Sequence, residues 1–523
     1  MELCGRLYII TLFSCISLAA SRHNPRDDPV KYYQPEQVHI SFGETVNDFV
    51  VTWSTRDFTP SVVEFGIGGI VNTSKGQAMK FVDGGPRKSS QFIHRVTLKG
   101  LLPNQRYVYH CGSDLGWSDE FWFTTVNNGT EWSPRLAVYG DMGNENARSL
   151  PYLQKDIISG LYDAILHVGD FAYDMRNVSL MPKPKKTRKT RFLALFELFD
   201  DDFPAESNCD PLHHPQTFYC VSCGHIIFHH GGFQDNGEVG DQFMRQIEPI
   251  AAYVPYMVSA GNHEESYNFS HYRARFSMPG GHENLWYSFD LGPIHFINLN
   301  TEAYYFPEYG LKLAIKQYLW LEEDLKKATS AENREKRPWI ITYGHRPMYC
   351  SDDDGDDCAR HSSRVRTGFP IFNWYFCKII DHEISPRIRG ISPQRVTILF
   401  RFGLEPLFYK YGVDLEIWAH EHSYERLWPV YNHEVKNGSH ENPYRNPKAP
   451  VHIVTGSAGC MEDTDPFVVH PEAWSAFRSS DYGFTRLQVF NSTHLYLEQV
   501  SIDLDGDVID SMWLIKDSHG PYE

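Results

Sequence analysis

The sequence predicts two folded units in series, an all-β sandwich followed by a larger α/β domain. Three observations predict this. Short β-branched and aromatic runs separated by turn residues fill residues 33–126. From Pro134 onward, strand-like runs alternate with helix-periodic stretches. Five short motifs stand directly after apolar runs, where α/β folds keep their chemistry.

In the first unit the runs are Gln37–Ser41, Phe49–Trp53, Val62–Gly66, Arg95–His110 and Phe121–Thr125. Their spacing predicts a sandwich of about a hundred residues. Asn127–Glu131 reads as the linker. In the second unit, 134–501, the strand-like runs are Arg135–Tyr139, Ala164–Val168, Tyr256–Ser259, Trp339–Tyr343 and Leu415–Trp418. Val239–Tyr253 and Leu311–Thr329 carry apolar residues at three- and four-residue steps and read as helices. A mainly parallel core sheet is expected. Residues 502–523 read as a C-terminal tail.

Bulk properties narrow the function. The chain has 523 residues, with 49 basic against 66 acidic side chains and a net charge of −17. That balance repels polyanions and argues against a nucleic-acid partner. Residues 1–20 read as a secretory signal, because Leu7–Ala20 is apolar, ends in small residues and is too short to span a bilayer. No later segment reads as a membrane span. Sequons at Asn72, Asn128, Asn268, Asn437 and Asn491 agree with export and mark expected glycosylation sites. Cys350 and Cys358 flank the acidic stretch Ser351–Asp357, which a disulfide would close in an oxidising compartment. The alternative is two unpaired thiols. Cys111 and Cys460 have no partner assignable from sequence.

The five motifs are Gly140-Asp141-Met142-Gly143, Gly169-Asp170-Phe171-Ala172-Tyr173, Gly261-Asn262-His263-Glu264, Gly344-His345 and His420-Glu421-His422. They offer seven candidate metal ligands: Asp141, Asp170, Tyr173, Asn262, His345, His420 and His422. Carboxylate and phenolate oxygens are hard anionic donors suited to a trivalent ion. Amide oxygen and neutral imidazole suit a divalent ion such as Zn or Fe(II). One Asp, with two oxygens, can bridge both ions. Asp170 and Tyr173 leave one short loop, and His420 and His422 alternate by two, so on extended chain they point the same way. A two-metal centre of this make-up argues for phosphate ester hydrolysis. His263, next to a ligand but without a coordination slot, is a candidate catalytic residue that hydrogen-bonds phosphate or protonates the leaving alkoxide. The alternative is packing against a ligand.

Together with Gly344-His345-Arg346-Pro347-Met348-Tyr349 and His420-x-His422-x-Tyr424-Glu425-Arg426, these motifs resemble the purple acid phosphatases, and within them the animal long form. Gly143 and Tyr173 are the specific marks. The resemblance extends to about Ser501 and includes Gly456–Cys460 and Asp481–Phe484. It implies a metallophosphoesterase α/β sandwich behind a fibronectin type III-like domain. It implies an Fe(III) held by Asp141, Asp170, Tyr173 and His422, and a divalent Zn or Fe held by Asp170, Asn262, His345 and His420. The tyrosinate-to-iron transition would colour the protein. The function implied is an acid phosphatase of the secretory pathway, secreted or lysosomal. It would hydrolyse small phosphate monoesters by in-line attack of hydroxide activated at the metals.

Three departures stand out. Plant relatives carry further histidines soon after the ligand matching His345, whereas Cys350–Cys358 here has none. Two segments, about 176–233 and 369–402, interrupt the family pattern. The first holds the basic run Lys183–Arg191 and Cys209, Cys220 and Cys223; the second holds Cys377. We read both as retained non-coding sequence or a non-standard isoform, against a lineage-specific insertion or a zinc site. Two functional alternatives remain: a phosphodiesterase or pyrophosphatase on the same centre, or a non-catalytic secreted binding protein.

Overall fold

The computed structural model describes residues 30–175, 237–306, 309, 311–360, 362–372 and 398–522. The expected signal at 1–20, the whole segment 176–233 with its basic run and Cys209, Cys220 and Cys223, and Cys377 of the second segment lie outside them.

The N-terminal unit is two sheets face to face. One runs in the order Glu36–Phe42, Phe49–Thr55, Ser90–Leu98, Gln77–Val82. The other runs Asn72–Lys75, Val62–Ile67, Arg106–Ser113, Gly116–Trp117, with Phe121–Thr124 also paired to Arg106–Ser113. Val38, Ile40 and Phe42 alternate into the shared core with Val51, Trp53, Val63 and Tyr109. The opposite face of Glu36–Phe42 is buried too, because it meets the second unit. Ser41 Oγ donates to the Ser277 carbonyl, and the His39 ring meets Phe276 edge-on at 5.7 Å. Arg95 Nε donates to Ser277 Oγ at 2.6 Å, and Tyr109 OH donates to the Ala252 carbonyl at 2.7 Å. The sandwich is therefore docked through hydrogen-bonded polar groups.

The second unit is a sandwich of two stacked sheets between helices, as the resemblance implies, and is less parallel than the strand–helix alternation predicts. The first sheet runs Tyr256–Ser259, Ala164–Val168, Arg135–Tyr139, Gly483–Val489, His494–Ser501, Asp507–Ile515. Only its first three strands are parallel to one another. The second sheet runs Tyr287–Leu291, Ile294–Leu299, Trp339–Gly344, Leu415–Trp418, Val451–Thr455, Tyr424–Leu427, Ser475–Ser479. It is parallel from Ile294–Leu299 to Val451–Thr455 and antiparallel at both edges. Parallel pairs need long crossovers, whereas the C-terminal strands follow one another in short hairpins, so they add antiparallel.

Leu136 and Val138 face the second sheet, while Ala137 and Tyr139 face the helices. Helix Glu238–Ala251 buries Phe243, Met244, Ile247 and Ile250, the three- and four-residue stripe that predicted it. They pack with Leu153 and Ile157 of Leu150–Ile158. Lys312–Ala328 covers the other sheet through Ala314, Leu321 and Leu325. Among the described residues no helix is long and apolar enough to cross a membrane.

The expected tail 502–523 is instead structural. Asp507–Ile515 forms the sheet's edge strand, with Met512 and Leu514 in the core. Beyond it, Lys516 and His519 close on Asp414, which is fully buried and also receives Arg334 Nη2 at 3.1 Å. Burial alone would raise the Asp414 carboxyl, but Lys516, Arg334 and His519 outweigh it and hold it far below the carboxylate range. A depressed folded pKa contributes stability above the unfolded value, lost only as pH falls through the folded one. That contribution should persist at pH 4–5. Breaking such a buried pair typically costs about 3–5 kcal/mol, so Asp414→Ala should lose on this order in denaturant unfolding at both pH 5 and pH 7. A loss present at pH 7 and absent at pH 5 would contradict the assignment.

The first interrupting segment leaves and returns at one place: the Gly240 N–H donates to the Met175 carbonyl at 3.0 Å. Of the second, only the ends are described. They pair antiparallel as Gly368–Phe372 with Ile398–Phe402, and Phe402 packs with Ile315.

Candidate dinuclear metal centre

All five motifs lie at the carboxyl ends of parallel strands, three in the first sheet and two in the second. Chain direction changes abruptly there. Asp141, Asp170, Tyr173 and His420 have φ of 59°, 50°, 52° and 72°, conformations that L residues adopt at a cost of about 1–3 kcal/mol each. Gly169 and Gly261 allow the loops to touch. A Cβ at Gly169 would lie 2.4 Å from His345 Nδ1, and one at Gly261 would lie 2.2 Å from Asp170 Oδ1.

The seven predicted ligand residues converge as two groups. In one, Tyr173 OH is 2.6 Å from His422 Nε2 and 3.3 Å from Asp141 Oδ1, and His422 Nε2 is 3.6 Å from Asp141 Oδ1. In the other, His345 Nε2 lies 3.1 Å from Asn262 Oδ1, 3.2 Å from Asp170 Oδ2 and 3.2 Å from His420 Nδ1. Asp141 ties the groups together, since its Oδ2 accepts the His420 N–H at 3.0 Å.

Each imidazole is anchored by the nitrogen that faces away. His345 Nδ1 donates to the Val168 carbonyl at 2.9 Å, His422 Nδ1 to the Asp463 carbonyl at 3.0 Å, and His420 Nε2 meets Asp356. For His345 and His422 the carbonyl partners leave the inward Nε2 as a lone pair, the arrangement of a metal-binding histidine. His345 Nε2 and His420 Nδ1 face one another at 3.2 Å. Asp141 and Asp170 are also buried, and among the described residues their ion pairs all come from histidines. Burial and Asp141 push the Tyr173 phenol well above its usual range, so an adjacent cation is needed to hold it as phenolate. The donor set therefore fits two cations.

His263 stands beside this set. Its N–H donates to Asp170 Oδ1 at 2.9 Å, its ring lies 4.6 Å from that of Tyr173, and Nδ1 is 3.3 Å from Asp174 Oδ1. Burial disfavours its charged form, but Asp170 and Asp174 outweigh burial and raise it to about 10. A second group was not legible in the sequence. The buried Glu264 carboxylate accepts the N–H groups of Asp170 and Gly261, each at 2.9 Å, and of Phe171 at 3.0 Å. It binds two motif loops together. Its place in the third motif was the only signal.

Cys350 and Cys358 form a disulfide, so their sulfurs are not available as metal ligands although Glu421 adjoins them. Cys111 and Cys460 are buried free thiols. Of the sequons, Asn72, Asn128 and Asn491 are exposed, whereas Asn268 and Asn437 are half-buried.

Comparison with known proteins gives three family matches. "Purple acid Phosphatase, N-terminal domain" matches residues 35–125. "Calcineurin-like phosphoesterase" matches 191–424 and "Iron/zinc purple acid phosphatase-like protein C" matches 449–511. The second span begins after Asp141, Asp170 and Tyr173, which the fold nonetheless places with His345 and His422. Acid phosphatase type 7 of Danio rerio is 49% identical, covering 93% of each chain. That of Homo sapiens is 47% identical, covering 93% of this chain and 92% of the relative. A purple acid phosphatase from yellow lupin seeds superimposes with a TM-score of 0.64 at 22% identity, covering 93% of this chain and 75% of that one. This last likeness is one of fold.

Proposed function

The chain belongs to the purple acid phosphatase family, and from that premise we propose that it is a secreted or lysosomal enzyme that hydrolyses small phosphate monoesters at acid pH. Asp141, Asp170, Tyr173 and His422 would hold Fe(III). Asp170, Asn262, His345 and His420 would hold a divalent Zn or Fe. The observation that carries this reading is the convergence of a phenol, two carboxylates, an amide and three outward-anchored imidazoles at one cluster of strand ends. When bound, the metals supply Lewis acidity towards the phosphoryl oxygens and acidify the attacking water.

The chain's own part is orientation and proton supply. His263 would hydrogen-bond the phosphoryl group or give its proton to the leaving alkoxide. Asp170 and Asp174 hold it in place. Secretion is supported by the signal-like start, the sequons and the Cys350–Cys358 disulfide. Side-by-side rates on a monoester, a diester and a pyrophosphate separate this reading from its enzymatic alternatives. A monoester rate at or below the other two would reject it.

The Tyr173 assignment has an optical test. The protein loaded with iron and zinc should absorb broadly in the visible, and Tyr173→Phe should abolish that band while leaving the far-UV circular dichroism unchanged. An Fe(III)-loaded parent without the band would remove Tyr173 from the ligand set.

A further inference from the structure

We propose that Asp356 is a positioning residue for the divalent metal: it selects the His420 tautomer whose Nδ1 is free to ligate. The inference rests on the ligand assignment above and extends it to a side chain 64 residues away in sequence.

Two groups compete for His420 Nε2. The Asp356 carboxylate, through Oδ2, is an acceptor; the Arg346 guanidinium, with Nη1 at 2.7 Å, is a donor. They impose opposite tautomers. With a proton on Nε2, the ring donates to Asp356 and leaves a lone pair on Nδ1, which faces His345 Nε2 at 3.2 Å. With Nε2 bare, Arg346 donates to it and Nδ1 carries the proton. That proton would point at His345 Nε2 and into the metal position, and His420 could not ligate.

The structure is built to keep Asp356 in the contest. Arg346 Nη1 donates to Asp356 Oδ2 at 2.8 Å, so the cation is also the carboxylate's anchor. Arg346 is itself fixed, with Nε donating to the fully buried Glu302 at 2.9 Å and its guanidinium 4.4 Å from the Tyr305 ring. Tyr305 OH donates to Asp357 Oδ1 at 2.7 Å, and the Cys350–Cys358 disulfide closes the loop that bears both aspartates. The acidic loop thus supplies a carboxylate to a ligand.

The test uses the full chain loaded with iron and zinc and titrated with a chelator. Asp356→Asn presents an amide where the carboxylate stood and leaves the Arg346 donor in place. Its zinc affinity should fall by about tenfold or more, the usual scale for a histidine's outer partner. The visible band reporting Tyr173 and iron should keep its position and intensity. Asp356→Glu, which restores the charge, should recover most of the zinc affinity. A structural role alone would weaken both metals together and would not be rescued by Glu. The proposal fails if Asp356→Asn holds zinc within about twofold of the parent. It fails equally if iron and zinc are lost in parallel. A parent that binds neither ion overturns the ligand assignment and this proposal with it.

Discussion

His263→Ala should lower kcat by about 10²–10⁴-fold, the usual value of a positioned proton donor, while leaving iron and zinc bound. The split follows from geometry. His263 touches the centre through its backbone, whose N–H donates to Asp170 Oδ1, and alanine keeps that bond. What alanine removes is the imidazole between Asp170 and Asp174. Those two carboxylates favour the charged imidazole against its burial. Substrates with a leaving group that needs no proton, such as an acidic phenol, should lose less than alkyl phosphates. Loss of a metal ion from the variant, or an equal effect on both substrate types, would make His263 structural.

The site was legible because its chemistry lies at strand ends. A short apolar run followed by Gly-Asp, Gly-Asn-His or Gly-His carries both the element and the ligand within ten residues. Hence Asp141, Asp170, Asn262 and His345 could be named without a structure. Contacts between motifs were not legible. Nothing in Ser351–Asp357 indicates that Asp356 reaches His420, because a tertiary contact of that separation has no local period. The antiparallel direction of the C-terminal strands was hidden for a related reason: apolar alternation marks a strand but not its neighbour or direction. Polar Asp507 and Asp510 disguised the last strand, although Met512 and Leu514 keep the alternation. Strand Glu36–Phe42 shows a subtler loss. Its polar face, His39 and Ser41, reads as solvent-exposed, yet it is buried against the second unit, Ser41 by a hydrogen bond to Ser277 and His39 by its ring against Phe276.

Glu264→Ala should be the most damaging single change outside the ligand set, because it acts on stability and metal geometry at once. Glu264 is 2% exposed, and its two oxygens accept three backbone N–H groups from two loops. Burial and the neighbouring Asp170 push the carboxyl up to about 8, against the N–H groups of Phe171 and Gly261, which favour the ionised form. Alanine leaves three buried donors without an acceptor. An orphaned buried donor costs about 1–3 kcal/mol, so a total on the order of 3–6 kcal/mol is expected after partial relaxation. The same loops carry Asp170 and Asn262, and Asp170 holds its left-handed conformation partly through this clamp. Once released, they should drift from the positions that meet His345. A misplacement of about 1 Å at reacting groups costs about 10²-fold in rate. Glu264→Gln keeps the shape and one accepting oxygen, so it should fall between the parent and alanine in both denaturant midpoint and metal content. If Glu264→Ala unfolds within about 1 kcal/mol of the parent and retains both ions, the three N–H groups have found other acceptors, and the clamp is not what holds the metal loops together.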